Sequence, residues 1–424
     1  MKDVMREAVD KSERGRKGVN FLLFFPQTCI DSHREMICLE TQHFNINRIL
    51  LLTIGLWPYQ RSLLVELQSI LLFGILLTFI IFQITTFITA ECTMDLMYKV
   101  LASAFFYICF AIKYNSFLVN ANIIKSVLMQ LQDVCNEIED KNEIAIIEKY
   151  GSKAKRITIK VLLLGIFYQL IFILIYIWPY IHRILTNKSQ LHSSSYILTE
   201  YFIDKEKYFY IIVLHRNAAC CIGFLAFVAT GTMLITCLQH ICAMFSIASY
   251  RIGQAIGISR KGGFTNEQKS CEEIIRAVNI HCKAMKLSNF LISNFVGSFF
   301  SLIAAGVLCL SCNLLRIASF TGNIGQLILS LINLFAHYIY LFLAYYTAQE
   351  VTDHNENLFI TVYNVYWYKA PLRIQKMILF LLQRGTISFY LVLGGILIAS
   401  MQSAASLAST SVSYFTVLYS TRQD

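Results

Sequence analysis

The sequence contains little charge and little proline. Only 15% of its 424 residues are charged and only four are proline, whereas 56% are hydrophobic. Several uncharged runs exceed the roughly 18 residues that a membrane-spanning helix requires. The sequence therefore predicts an all-α membrane protein that crosses the bilayer several times.

Sequence motifs of common enzyme classes are also missing. The chain has no G-x-x-x-x-G-K-[ST], no H-E-x-x-H and no G-x-S-x-G, and its carboxylates fall in loops. Cys309 and Cys312 form a C-x-x-C without a second pair or a nearby histidine cluster. Buried, unpaired thiols are therefore predicted there rather than a zinc site. We predict no enzymatic activity and no cofactor or metal.

The basic residues lie in alternate loops. Of the 36 Lys and Arg residues, 27 fall in segments 1–66, 120–160, 250–290 and 349–385, and six fall in the segments between them. This distribution is a topology signal rather than a nucleic-acid-binding face, despite the net charge of +10. It places the N-terminus in the cytosol and the C-terminus outside. The sequon Asn187-Lys188-Ser189 falls in a loop assigned to the outside.

Seven segments are predicted to span the membrane, and three other regions flank or interrupt them. Residues 1–66 are predicted to be cytosolic and to include a helix on the inner membrane surface over 45–58, with Trp57 at headgroup level. Residues 349–385 are predicted to form a cytosolic anchor region, in which an acidic turn precedes a helix after Pro371. The predicted spans are 67–89, 96–119, 161–181, 208–250, 290–312, 325–348 and the final stretch 385–421, with 386–424 forming the last helix and a short tail.

A few ionisable residues fall inside the predicted spans. Lys99 and Lys113 lie near enough to the ends of their span to reach the headgroups. Arg216 has two interpretations, a functional intramembrane charge or a side chain that reaches acidic residues or headgroups at the outer surface, and we favour the second. His215 and His337 are predicted to be hydrogen-bonded core histidines.

The final stretch carries polar side chains at helical spacing. A polar stripe inside a membrane must face protein or water, because lipid cannot satisfy it. One interpretation is that the small residues allow close helix packing, and the other is that the stripe lines an aqueous path. The stripe, with Val417 close to it, consists of Gln402, Ser406, Ser409, Ser413, Val417 and Ser420.

Five stretches together resemble a known family. They are GLWP at 55–58, HICAMFSIASYRI at 240–252, IIRAVNIHCKAM at 274–285, VYNVYWY at 362–368 and SYFTVLYS at 413–420. In this order, with seven spans and a cytosolic N-terminus, they resemble the insect odorant receptors. The first three are most similar to the expanded receptor set of ants, bees and wasps. The resemblance covers nearly the whole chain.

The resemblance implies a subunit of a ligand-gated, non-selective cation channel. Such subunits form heterotetramers with a shared odorant co-receptor subunit in the plasma membrane, and here we expect the dendrites of olfactory sensory neurons. The resemblance also implies that the last helix lines the pore, with Val417 as the hydrophobic gate. It places an apolar pocket for a volatile or hydrocarbon-like ligand in the outer half of the bundle.

The candidate pocket residues lie on plausible inward faces of four spans. Each of them could equally be ordinary helix packing, and an apolar cavity with aromatic walls would bind by area and shape. The candidates are Val100, Leu101, Ala104, Tyr168, Phe172, Ile175, Tyr176, Ile212, Ala219, Leu331, Leu334, Phe335 and Tyr338.

Two other functions remain open. A seven-span receptor could signal through a cytosolic transducer, although the predicted orientation is opposite to that of G-protein-coupled receptors and no Asn-Pro occurs in the chain. A transporter would be expected to carry paired broken helices or ionisable groups at mid-membrane, and neither is evident.

Overall fold

Long helices account for nearly all of the structure. In this computed structural model the described residues are 43–60, 62–91, 93–186, 199–204, 207–259, 264–319 and 324–420. They all belong to one compact unit, Ile37–Asp424. The helices are α1 (Asn45–Thr53), α2 (Leu63–Ile84), α3 (Thr86–Thr89), α4 (Met94–Val119), α5 (Ala121–Asn136), α6 (Lys141–Thr186), α7 (Phe209–Ser259), α8 (Phe264–Asn294), α9 (Val296–Ala318), α10 (Ile324–Asn364), α11 (Leu372–Gly385) and α12 (Met401–Ser420).

Among the described residues, six helices are long and apolar enough to cross a membrane. They are α2 extended by α3, α4, α6, α7, α9 and α10, and together with α12 they match the seven predicted spans. The 20 residues of α12 span about 30 Å at 1.5 Å per residue, which is the thickness of the hydrocarbon core. The fold is therefore an all-α, seven-helix membrane architecture, as predicted.

Three helices extend well beyond the length of a span. The 46 residues of α6, the 51 of α7 and the 41 of α10 exceed the roughly 20 that a span needs, and the excess lies at the end of the bundle that carries the basic segments 120–160 and 250–290, called here the basic end. The length of α7 is the one that its predicted projection requires, and the projection into the cytosol stays a prediction. The acidic turn expected after residue 348 does not exist, because α10 continues through it to Asn364.

The sequence stretch 385–421 is not one helix. Residues 392–398 form a short antiparallel hairpin, with β1 (Val392–Leu393) paired to β2 (Leu397–Ile398) in the register Val392 to Ile398 and Leu393 to Leu397. Gly394 and Gly395 have φ of 57° and 75°, a region that residues with a Cβ rarely adopt. The apolar hairpin therefore precedes α12, which begins at Met401 rather than at Gly385.

The segment around α1 is packed into the bundle rather than exposed at its surface. Asn47 donates a hydrogen bond to the Thr236 hydroxyl of α7 over 3.0 Å, and the Tyr114 hydroxyl of α4 donates to the Ile54 carbonyl over 2.7 Å. Trp57 is only 5% exposed. The helix was predicted, and the ring of Trp57 is enclosed by protein; its position at headgroup level stays a prediction. Residues 1–42 lie outside the described residues, as does the sequon at 187–189.

A polar network joins α6, α7 and α10 at the basic end. Glu350 of α10 is paired with Lys153 of α6 and accepts a hydrogen bond from Gln239 of α7 over 2.5 Å. One turn further along α10, His354 is 2.6 Å from the hydroxyl of Tyr150 on α6. Because the network links side chains of all three helices, it fixes their relative positions.

The helices at the basic end also bury a histidine. His281 of α8 is 7% exposed, and its Nε2 donates to the Asn355 side-chain oxygen of α10 over 2.8 Å. Burial lowers the pKa of His281, opposed by the hydrogen bond to Asn355 and assisted by the positive charge of Arg384. The neutral ring is therefore the form that the folded protein holds.

Because His281 is buried in its neutral form, we expect acid to destabilise the folded protein. In the unfolded chain the pKa is about 6.5, so above that pH both states are neutral and the stabilisation is complete. Below that pH the unfolded state binds a proton before the folded state does, so the free energy of unfolding falls as the pH falls. The melting temperature of the wild type should decrease more between pH 7.5 and pH 5.5 than that of His281→Gln. Parallel pH curves for the two proteins would contradict the assignment.

Candidate functional site

A large apolar cavity lies among the described helices. Its volume is about 250 Å³, and its walls come from α4, α6, α7, α9 and α10. Leu393 and Ala399 of the hairpin segment and Leu407 and Ser411 of α12 complete the lining. The cavity therefore borders directly on the helix that carries the polar stripe.

Aromatic rings form much of the wall. Phe106 of α4 lies at the centre of one group, with ring centroids 4.5 Å from Phe110, 6.3 Å from Tyr168 and 5.6 Å from His337. On the other side Phe227 of α7 and Tyr340 of α10 are 4.2 Å apart. These rings offer an apolar ligand a large contact area without requiring hydrogen bonds.

Glycines supply part of the space. Gly165 of α6 and Gly231 of α7 both line the cavity. At Gly165 a Cβ atom would lie 1.6 Å from Cζ of Phe224, so the ring occupies the space that a side chain would need. At Gly231 the nearest atom to a Cβ would be Cε2 of Tyr340 at 3.5 Å, an ordinary contact.

Most polar groups on the lining are already bonded within the protein. The Tyr168 hydroxyl donates to the Asn333 side-chain oxygen over 2.8 Å. The Thr232 hydroxyl donates to the Val228 carbonyl, and the Ser411 hydroxyl to the Leu407 carbonyl. The cavity therefore offers a ligand apolar contacts and few free hydrogen-bond donors.

Lys113 is a charged residue on this otherwise largely apolar lining. The side chain was predicted to reach the headgroups, but the residue is 4% exposed and lies on the cavity wall. Its Nζ is 5.7 Å from the ring centroid of Phe299 and 5.2 Å from that of Tyr340. The lysine therefore points into the bundle rather than out of it.

The cavity lies deeper than the predicted pocket on all four spans. Its lining begins at Phe106 on α4, Phe224 on α7 and Ala336 on α10, and on α6 it ends at Tyr168. Of the predicted pocket residues, only Tyr168 lines the cavity. The shift has the same direction everywhere, toward the basic end.

The remaining pocket candidates fall into three groups by burial. Leu331 and Phe335 are 46% and 63% exposed and face away from the cavity side of α10. The side chain of Tyr176 lies outside the described residues. Buried in helix packing are Val100, Ala104, Phe172, Ile212 and Ala219, and half-buried are Leu101, Ile175, Leu334 and Tyr338.

The ionisable candidates have partners inside the bundle. The Arg216 guanidinium lies 5.3 Å from the ring centroid of Phe172. His215 is bonded to the hydroxyls of Thr78 and Tyr201 over 3.1 and 2.8 Å, and His337 to the Asn333 carbonyl over 2.9 Å. Both histidines are hydrogen-bonded, as predicted.

Helix α12 has two chemically different faces. Ala404 and Ser411 are its buried residues, and the backbone carbonyl of Ser411 accepts a hydrogen bond from Ser311 of α9 over 3.1 Å. At about 100° per residue, the polar stripe lies on the opposite side of the helix from these two residues. All of its members are exposed: Gln402, Ser406, Ser409, Ser413, Val417 and Ser420.

Comparisons with known proteins agree with this architecture. A family model described as "7tm Odorant receptor" matches residues 93–412. That match covers well over half of the chain. This chain belongs to the odorant receptor family. No curated protein sequence matches it.

Solved structures of insect olfactory receptors share the fold. The receptor resembles OR5 of Machilis hrabei in complex with eugenol with a TM-score of 0.75 at 17% identity, over 92% of this chain and 100% of that one. A second structure of the same OR5 gives a TM-score of 0.73 at 17% identity, over 91% and 99%. The receptor is thus a multi-pass membrane protein of a family of receptors rather than enzymes.

Sequence reasoning missed most of the cavity lining for one reason. Helix periodicity identifies the inward face of a span but not the depth at which neighbouring helices separate. One available signal was Lys113, because an ionisable residue within a span marks a functional site by default.

Proposed function

We propose that this receptor is the odorant-binding subunit of a ligand-gated, non-selective cation channel that forms a heterotetramer with a shared co-receptor. The family and the fold support an odorant receptor. The channel is supported by the two faces of α12, one packed on the bundle and the other a continuous exposed stripe of hydroxyl and amide groups. The hydroxyls of Ser413 and Ser420 donate to carbonyls of the helix itself, and the remaining hydrogen-bonding capacity of the stripe can be met by a water-filled pore but not by lipid.

The cavity is the proposed odorant site. The OR5 structure was determined with eugenol, a small organic molecule, and the apolar cavity here suits a volatile or hydrocarbon-like ligand. Leu407 and Ser411 of α12 belong to its lining. A ligand that contacts them binds to the rear face of the proposed pore helix, so it can stabilise one position of α12 over another.

The proposed topology places the basic end in the cytosol and the stripe of α12 across the bilayer. The distribution of Lys and Arg supports this orientation. The expected location is the plasma membrane of olfactory sensory neuron dendrites. The inner extensions of α7, α8 and α10, together with α11, would form the contacts between subunits.

Recording from excised patches tests the channel directly. In cells that express the receptor with a family co-receptor, a volatile ligand should open a cation current after intracellular nucleotides are removed. A receptor that signals through a cytosolic transducer would lose its response under these conditions. Loss of the current on excision would therefore refute the channel and favour the transducer.

The gate makes a second, separate prediction. Val417 is 58% exposed and lies within the stripe, where an apolar side chain can interrupt the water column. Val417→Ala should raise the resting current several-fold, because a smaller side chain closes the pore less completely. Val412→Ala provides the matched control, since Val412 is 45% exposed on the same helix but about 100° away from the stripe. Equal resting currents in both variants would contradict the assignment.

A further inference from the structure

We propose that Lys113 is a ligand-contacting residue that selects odorants with an apolar body and a terminal carboxylate. The inference rests on the proposed function of the cavity and specifies the chemical class of its ligand. The first observation is position, because a 4% exposed lysine lies on the wall of a cavity whose other surfaces are almost entirely apolar.

The ammonium group of Lys113 has no anionic partner on this wall. No Asp or Glu occurs among the described residues that line the cavity. The nearby carboxylate of Glu350, two residues beyond Ala348 of the lining, is occupied by Lys153 and Gln239. A buried charge without a counter-charge is costly, and a ligand carboxylate would remove that cost.

The two rings beside Lys113 compensate its charge only in part. At 5.2 and 5.7 Å from the ring centroids of Tyr340 and Phe299, the ammonium gains attraction from both π faces. Such contacts leave its N–H donors available, since a π face is a weaker acceptor than a carboxylate oxygen. The two rings also give an apolar surface that would contact the methylene groups next to the ligand carboxylate.

The other polar groups on the wall differ in whether they can donate to the same ligand. The Tyr345 hydroxyl is buried and has no hydrogen-bond partner among the described residues, so it can donate to a ligand oxygen. Nδ1 of His337 donates to the Asn333 carbonyl, which leaves Nε2 of the neutral ring as an acceptor. The hydroxyls of Tyr168, Thr232 and Thr347 already donate within the protein. Available donation therefore comes from Lys113 and Tyr345, and the hydroxyl of Tyr340 on the same wall is a further donor.

Binding of matched probes to the full chain in nanodiscs tests the proposal. The probes are octanoate, methyl octanoate and 1-octanol, with empty nanodiscs as the correction for partition into lipid. The wild type should bind octanoate at least tenfold more tightly than the two neutral probes. Lys113→Met should lose about tenfold or more of the octanoate affinity and keep methyl octanoate within twofold, because a charged hydrogen bond is removed.

Three further variants separate the effect of charge from that of shape, from that of the surface and from that of the second donor. Lys113→Gln keeps a donor of similar length without the charge and should also lose octanoate affinity. Lys125→Met makes the same change as Lys113→Met at an exposed lysine next to Tyr59, outside the cavity lining, and should bind all three probes as the wild type does. Tyr345→Phe should weaken octanoate binding by a smaller factor.

Each outcome decides one question. Unchanged octanoate affinity in Lys113→Met or Lys113→Gln overturns the role of Lys113, as does equal wild-type affinity for octanoate and its methyl ester. If Lys113 proves to have no role but neutral volatiles bind and activate the receptor, the proposed function stands. If octanoate binds through Lys113 but no ligand opens a current with the co-receptor, the channel proposal fails and the binding site stands.

Discussion

Glu143→Ala is expected to destabilise the folded receptor by about 3–5 kcal/mol, because it leaves a buried guanidinium without its counter-charge. Arg251 of α7 donates from Nε and from a terminal nitrogen to both carboxylate oxygens of Glu143 on α6, over 2.6 and 2.7 Å. The two side chains are only 15% and 7% exposed. Solvent therefore screens this pair little, and the two-bond geometry fixes α6 against α7.

A second ion pair in the same region provides the control. Glu137 accepts from Lys283 over 2.7 Å, but the two side chains are 57% and 47% exposed. Glu137→Ala should cost roughly 1 kcal/mol or less, because water replaces the lost partner. Thermal denaturation of the two variants, followed by size-exclusion chromatography, measures the difference.

A double replacement distinguishes the loss of a charge pair from the loss of packing. Glu143→Leu combined with Arg251→Met removes both charges and leaves apolar volume, so it should recover much of the stability lost in Glu143→Ala. Equal melting temperatures for Glu143→Ala and Glu137→Ala would show that burial does not control the strength of this pair.

Gly165→Ala is expected to reduce odorant affinity about tenfold or more. The new methyl group would overlap the tip of the Phe224 ring, where a Cβ would lie 1.6 Å from Cζ. Since Phe224 itself lines the cavity and its ring centroid is 6.2 Å from that of Tyr168, displacement of its ring alters the wall on which the ligand rests. Displacement of the ring changes the contacts available to the ligand, and each loss of about 1.4 kcal/mol of binding free energy corresponds to a tenfold change in affinity.

Gly231→Ala makes the same chemical change elsewhere on the wall of the same cavity. Its new methyl group would lie 3.5 Å from the nearest atom, Cε2 of Tyr340, so no neighbour has to move. Dose–response curves for one activating volatile should shift for Gly165→Ala and stay within about twofold of the wild type for Gly231→Ala. If neither variant shifts the curve at equal surface expression, the ligand binds outside this cavity.

The apolar character of the candidate site and the helices that form it were within reach of the sequence, but its depth was not. The long apolar runs identified all seven spans, because a helix satisfies its own backbone hydrogen bonds in lipid. Within a span, each residue has neighbours on the same face one turn above and below it, so periodicity cannot distinguish Ala104 from Phe106 and Phe110 by depth. Where the helices separate is set by contacts such as that between Gly165 and Phe224.

The sequence contains a turn signal for the hairpin before α12 that the prediction of one long helix did not use. Gly394-Gly395 between apolar residues is a turn pattern typical of a hairpin, and both glycines adopt positive φ. The whole of 385–421 is uncharged, and hydropathy does not distinguish an apolar strand from an apolar helix. The hairpin was therefore included in the predicted helix. The start of the last helix was therefore placed some 16 residues too early, at Gly385 rather than Met401.

The sequence alone determined the class of this receptor, the number of its spans and the polar stripe on its last helix. These properties depend on composition and on local periodicity, which a single segment carries by itself. Only the tertiary structure decided that Lys113 points into a cavity, that Trp57 is enclosed and that α12 borders the ligand site. Each of these depends on which helices are neighbours and how closely they approach, and residues far apart in the chain control both.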